Sequence, residues 1–327
     1  MAPHPVQAPP AVVMIRPHQF APNPETVVDN AFQSLPKGSP GQVARAAYDE
    51  VTAMAAQLRE AGVTVHLYED VTHTAPDSVF PNNWFSTHSS GQIAVFPMHS
   101  VSRRSERRPD LIDDLKRMYH VPVVYDYSGL EHDGLFLEGT GSMVLDHVHR
   151  VAYVCRSNRV SEPALQRFCT DFGYHAFVFD AFDPAGTRIY HTNVLMAVAT
   201  EYALIGLSAI TDPRQRRRVR GHLEATGRRV VDLTMQQLTD FAGNAIELNG
   251  RDGRVLVMSD RAVRALSDDQ LAVIEASSTI LPVDIGTIEH AGGSARCMLA
   301  GVHLTARTGG AIEEVQEVPD PGLVRPA

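Results

Sequence analysis

The sequence predicts a single α/β domain of five hairpin–helix–strand units related by pseudo-fivefold symmetry, and two observations carry that prediction. The first is spacing. Asn244 lies 53 residues before Cys297, His191 53 before Asn244, Glu138 53 before His191, and Asn83 55 before Glu138. Each of the four earlier residues opens an apolar hairpin, followed by a helical segment and another strand. The second is what the fifth unit lacks. After Cys297 the chain has one strand left, and residues 11–67 supply the missing strand, helix and strand in that order. The fifth unit is therefore expected to be split between the termini, its N- and C-terminal strands pairing and hiding what would be exposed sheet edges.

Taken in order, residues 1–10 read as a disordered tail, 311–327 as a C-terminal tail, and 11–310 as one domain with no linker dividing it. Residues 11–15 are a buried strand ended by Arg16-Pro17. The loop that follows, through Asn23-Pro24-Glu25-Thr26, is long enough to cover a site. From 41 to 60 the pattern is helical, with Val43, Ala46, Ala47, Val51, Met54 and Leu58 on one stripe; Gly62 ends it and 63–67 is a strand. The first unit pairs 83–87 with 92–97, then has a helix over 102–119 and a strand over 121–125. The second pairs 141–146 with 151–155, with a helix at 162–172 and a strand at 175–179. The third pairs 191–200 with 202–207, with a helix at 213–226 and a strand at 229–233. The fourth pairs 245–248 with 254–258, with helical turns over 260–276 and a strand at 280–283. The fifth has its first strand at 297–304.

Composition bounds the function. A chain of 327 residues with 44% hydrophobic and 20% charged residues has ample material for a core, and its net charge of −9 argues against a nucleic-acid surface. Three widely spaced cysteines, Cys155, Cys169 and Cys297, suggest neither a disulfide framework nor a metal knuckle, and fit a reduced, cytoplasmic setting. No stretch is long and apolar enough for a membrane span, so no membrane partner is expected. A homodimer is compatible with the sequence.

A lone cysteine entering a strand is ordinarily a packing residue. Cys297 differs because small residues, Gly292-Gly293-Ser294-Ala295, lead into it and because it shares a repeat position with His191 and Glu138. Equivalent positions of repeated units meet at one end of the assembly, and a Cys, a His and a Glu meeting there suit a nucleophile, an acid/base and a binding or orienting carboxylate. Other features are set aside. His147 and His149 lie in a hairpin turn with no third ligand nearby and read as solvated. Arg214, Arg216, Arg217, Arg218 and Arg220 read as a solvated helix face. Gly139-Thr140-Gly141 precedes a strand and no helix, so it is not a phosphate loop. Trp84 either walls the site or fills core.

Glu138-Gly139, His191-x-Asn193 and Gly292-Gly293-Ser294-Ala295-Arg296-Cys297, with the repeat, resemble the pentein fold of guanidino- and ureido-modifying enzymes over residues 11–310. The resemblance implies a five-bladed α/β propeller. Arg16-Pro17-x-x-Phe20-x-x-Asn23-Pro24-Glu25-Thr26 and Phe80-Pro81-Asn82-Asn83-Trp84-Phe85 resemble the citrulline-utilisation branch, proposed to be citrulline ureidases. By resemblance Cys297 is the nucleophile, His191 the general acid/base, Glu138 the carboxylate beside the substrate, Asp77 an outer substrate-binding aspartate and Arg159 a clamp on the substrate α-carboxylate. Arg103 or Arg104 is a second clamp. Asn83 replaces the aspartate of guanidine-cleaving relatives, and His191-Thr192-Asn193 departs from the His-x-Asp of the deiminases.

The chemistry follows from these residue types. A ureido carbon is a poor electrophile, and a thiolate, favoured by a neighbouring His⁺, is strong enough to attack it. No metal or organic cofactor is needed, and the partner is a small amino-acid substrate. A guanidinium offers only donors and demands carboxylates, whereas a urea has a carbonyl that asparagine can meet, so Asn83 favours a ureido substrate. The expected reaction is hydrolysis of citrulline to ornithine, carbon dioxide and ammonia. Arginine or dimethylarginine hydrolysis, amidino transfer and a non-catalytic binding module are the alternatives, the last opposed by the joint presence of Cys297, His191 and Glu138.

Overall fold

A computed structural model describes residues 6–27 and 30–307. The helical stripe at 40–60 does form: β1 (Ala11–Pro17) leads to α1 (Pro40–Glu60), which returns the chain to β2 (Thr64–Asp70) parallel to β1. Ser39 caps α1 in a reciprocal box with Gln42, and Val43, Ala47, Val51, Met54 and Leu58 are buried. The hairpin β3 (Phe85–Thr87) and β4 (Gln92–Val95) is followed by α2 (Pro109–Met118) and β5 (Val123–Asp126). After α3 (Gly139–Ser142) come β6 (Val144–Asp146), β7 (Val151–Cys155), α4 (Glu162–Phe172) and β8 (His175–Phe179). After α5 (Thr192–Leu195) come β9 (Met196–Val198), β10 (Tyr202–Ile205), α6 (Pro213–Ala225) and β11 (Arg229–Asp232). The fourth set is α7 (Met235–Thr239), β12 (Ile246–Asn249), β13 (Arg254–Ser259), α8 (Asp260–Ala265), α9 (Asp268–Glu275) and β14 (Thr279–Val283). The last elements are α10 (Gly286–Glu289) and β15 (Ala300–Val302).

These strands make five three-stranded sheets, each with one antiparallel and one parallel pairing about its middle strand. In the sheet that joins the two ends of the chain, β15 pairs antiparallel with β1, Ala11 opposite Val302. The short first strands lie beside one another: β15 against β3, β6 against β9, β9 against β12.

Several expectations differ from the structure. The helix over 102–119 is broken, with a 3₁₀ turn at Ser102–Glu106 and α2 starting only at Pro109. Proline lacks the N–H to continue a helix and holds Arg108 in an extended conformation. The inner strands are shorter than their apolar runs, because α3 and α5 take up the residues directly after Glu138 and His191. Gly139-Thr140-Gly141 thus opens a single helical turn rather than a strand, and Cys297 sits in a turn three residues before β15.

The N-terminal segment also differs. From residue 6 it is not a free tail: Gln7 is buried, donating to Leu145 O at 3.0 Å and Val198 O at 2.9 Å and accepting from His147 N at 2.9 Å. Gln7 thereby ties two sheets together. Gln7→Ala strands those buried groups and should cost about 1–3 kcal/mol in chemical denaturation. An unchanged midpoint would show that the tie is idle. The expected C-terminal tail, 311–327, lies outside the described residues.

His149 is exposed, as expected of a turn, but His147 is only half-exposed. It stacks on His303 with ring centroids 3.8 Å apart and meets the Tyr174 hydroxyl at 3.0 Å, while His149 pairs with Asp146. Trp84 fills core. No group of three metal-ligating side chains occurs among the described residues, and no helix there is long and apolar enough to cross a membrane.

Burial holds His66 near pKa 4 and His303 near 3, and pushes His88 and His147 well below the ordinary value. Unfolded, these rings take up protons below about pH 6.5, whereas the folded chain does not. Stability is therefore full above pH 6.5 and falls as the pH drops from there toward the folded values. A melting temperature that stays flat from pH 7 to pH 5 would contradict this.

Candidate active site

The inner ends of the sheets supply the polar residues. Glu138 and His191 stand immediately before the single turns α3 and α5, and Asn83 ends the 3₁₀ turn Pro81–Asn83. Their approach is close enough to dictate a glycine. A β-carbon at Gly141 would lie 2.1 Å from the Asn83 carboxamide and 2.9 Å from the His191 ring.

One small cavity gathers Cys297, His191, Asn83, Asp77, Arg103 and Arg159. Glu138 and Asn244 stand directly behind it. His191 Nε2 meets Glu138 Oε2 at 2.8 Å, and Arg159 Nη1 lies 3.2 Å from the same oxygen. The other Glu138 oxygen accepts from His99 N at 3.0 Å. Both oxygens are thus engaged by the chain, and Glu138 joins His191 to Arg159. Burial opposes its charge, but Arg159, the His191 bond and Arg103 hold it well below the usual carboxylate range. Burial pushes His191 below its ordinary value despite Glu138, leaving a neutral ring at pH 7.

Two side-chain amides donate to the sulfur. Asn193 Nδ2 and Asn244 Nδ2 each donate to Cys297 Sγ at 3.2 Å, and Asn244 also donates to Asn193 O at 3.0 Å and accepts from Cys297 N at 3.3 Å. Two N–H donors stabilise a sulfur anion and orient its lone pairs. Asn193→Ala and Asn244→Ala should each slow iodoacetamide labelling of Cys297 at neutral pH by about tenfold, the effect of losing one charge-assisted bond of roughly 1.5 kcal/mol. Equal labelling rates in wild type and both variants would remove this role.

Arg103 is a second buried cation of the site, beside Arg159. Glu106 accepts from its Nε at 2.8 Å and its Nη2 at 2.9 Å, Asp77 lies 3.5 Å from Nε, and Glu138 lies 3.6 Å from Nη1. With its carboxamide oriented to suit its neighbours, Asn83 accepts from Arg103 at 3.0 and 3.1 Å and donates to Asn82 Oδ1 at 3.2 Å. Arg104 instead pairs with Glu131 outside the cavity. Sequence reasoning missed Glu106, and it took Asn193 only as a departure from a motif. It also missed Tyr190, which lines the cavity and donates to Gly292 O at 2.5 Å.

Described residues between β1 and α1 reach the cavity. Thr26 and Asn30 line it, Asn23 donates to Asp77 Oδ2 at 2.9 Å, and Glu25 accepts from Val101 N and Ser102 N at 3.1 and 2.9 Å. The enclosed space is about 20 Å³, little more than a water molecule needs.

Comparison with known proteins places this arrangement. A search of curated protein sequences returns no match. The N-terminal domain of ArgZ with bound product, an arginine dihydrolase from the ornithine-ammonia cycle in Cyanobacteria, superposes with a TM-score of 0.68. It is 18% identical over 88% of this chain and 96% of that one. Unliganded AgrE gives a TM-score of 0.70 at 17% identity, over 91% of this chain and 40% of its own. The DDAH from Pseudomonas aeruginosa complexed with citrulline gives 0.60 at 14% identity, over 92% of this chain and 100% of that one. The family profile for eukaryotic N,N dimethylarginine dimethylhydrolase matches residues 16–304. The chain therefore belongs to that dimethylarginine dimethylhydrolase family, within the pentein superfamily.

Proposed function

We propose that the chain is a cysteine hydrolase that cleaves the ureido group of citrulline, giving ornithine, carbon dioxide and ammonia. The observation that carries the reading is the resident guanidinium of Arg103, lodged against Asn83, Asp77, Glu106 and Glu138. The carboxylates at this end already have a cation, and the residue among them at the 83 position is a neutral carboxamide. A second guanidinium would enter beside Arg103 with the unpartnered Asp77 Oδ1 as the one open carboxylate oxygen of this set, whereas a neutral urea brings no charge to be paired.

In this reading the five sheets stand round a common axis as the blades of a propeller, which brings the inner-strand ends together. His191 takes the Cys297 proton, and the thiolate sulfur forms a bond to the ureido carbon. The C–N bond to the δ-nitrogen breaks, and that nitrogen leaves as ornithine with the proton from His191. Water then loses a proton to His191 and its oxygen attacks the S-carbamoyl carbon. The C–S bond breaks, and the carbamate released decomposes to carbon dioxide and ammonia. Arg159 holds the α-carboxylate, and Thr26 and Asn30 move aside to admit the substrate.

The family and the ArgZ likeness support a second reading, in which a guanidino group is hydrolysed first. Incubation with citrulline, arginine and dimethylarginine, with products identified by mass spectrometry, separates the two. Preference for arginine or dimethylarginine would replace the ureido reading with a guanidino one.

A further inference from the structure

A second cavity, of about 50 Å³, lies among the first strands of all five sheets. The turn that puts Cys297 into one cavity puts Arg296 into the other. A single water needs roughly 10–15 Å³ of such space, so this one has room for a small polyatomic group. Gln7 lines it and bridges Leu145 and Val198.

The charge of this cavity is unbalanced. Arg296 Nη1 donates to Leu299 O at 2.7 Å, and among the described residues its guanidinium has no carboxylate partner. The stacked rings of His147 and His303 line the same space, and His303 Nδ1 is buried without a hydrogen-bond partner. The carboxylate among the lining residues, Glu247, is spent elsewhere. It accepts from Thr200 N at 2.7 Å, from Thr200 Oγ1 at 2.5 Å and from Ser278 Oγ at 2.8 Å, and Arg254 lies 3.7 Å away. Burial draws Arg296 down only to about 10, so it stays charged at neutral pH, and its charge helps keep both rings neutral. A half-buried guanidinium without a counter-charge is costly, and an anion seated against it reduces that cost.

We propose that this cavity is a binding site for one small monovalent anion, a halide or a planar oxyanion of bicarbonate size, held by Arg296. The site is separate from the ligand cavity at Cys297 and does not depend on which substrate is cleaved there. Crystals of the wild-type protein soaked in sodium bromide should show an anomalous peak within contact distance of the Arg296 guanidinium. In solution, bromide or nitrate added at constant ionic strength against gluconate should raise the melting temperature saturably by a few degrees. Arg296→Met keeps the bulk, removes the charge and should abolish that rise. Bromide peaks confined to the surface, or an equal rise in Arg296→Met, would overturn the proposal; the crystal result decides it if the variant does not fold.

Discussion

Replacing Cys297 by alanine is expected to end turnover and leave the fold in place. The side chain is buried in a turn whose backbone bonds, Cys297 N to Ser294 O at 2.9 Å among them, do not involve sulfur. Removing the nucleophile of a covalent hydrolase costs roughly a millionfold in kcat. Ornithine and ammonia release should fall to background while far-UV circular dichroism is unchanged. The other thiols provide a control. Burial pushes Cys155 and Cys169 up to about 11, so iodoacetamide should mark Cys297 and spare both. A folded Cys297→Ala protein that retains one per cent of wild-type activity (about 0.01 of it) would contradict covalent catalysis at this residue.

Asn83→Asp is expected to cut kcat/KM for citrulline by about a hundredfold, or roughly 2.7 kcal/mol. A carboxylate there would bind Arg103 as an ion pair, drawing it from Glu106 and Asp77, and would set an anion against the urea carbonyl oxygen. The substitution is nearly isosteric, so the loss should appear in activity and not in thermal stability. Arginine turnover should gain little, because one carboxylate does not rebuild the whole set that a second guanidinium needs. Undiminished citrulline hydrolysis in Asn83→Asp would remove the electrostatic argument for a ureido substrate.

The five-unit plan was legible because Asn83, Glu138, His191, Asn244 and Cys297 recur at nearly constant spacing, each ahead of an apolar run. The joining of the chain's ends was legible from complementary gaps, and Ala11 opposite Val302 realises it. The inner strands were not, since an apolar run after a polar residue serves a helical turn as well as a strand. Glu106 was hidden because residues 102–119 read as one continuous helix; the break at Pro109 leaves a 3₁₀ turn that buries Arg103 and Glu106 together. Gln7 carries no periodic signal at all, its role resting on carbonyls 138 and 191 residues away. Asn193 stood in plain view, but its approach to Cys297, 104 residues on, is a product of packing.

The central claim is that Cys297 takes a carbamoyl group from a ureido substrate. Its most direct test is an acid quench of the enzyme early in turnover of citrulline labelled at the ureido carbon, followed by peptide mass spectrometry. The account predicts a labelled carbamoyl group on the Cys297 peptide, chased to carbon dioxide as ornithine accumulates, and absent from Cys297→Ala. No adduct and no ornithine from citrulline, with an amidino group appearing on Cys297 when arginine is supplied, would contradict it.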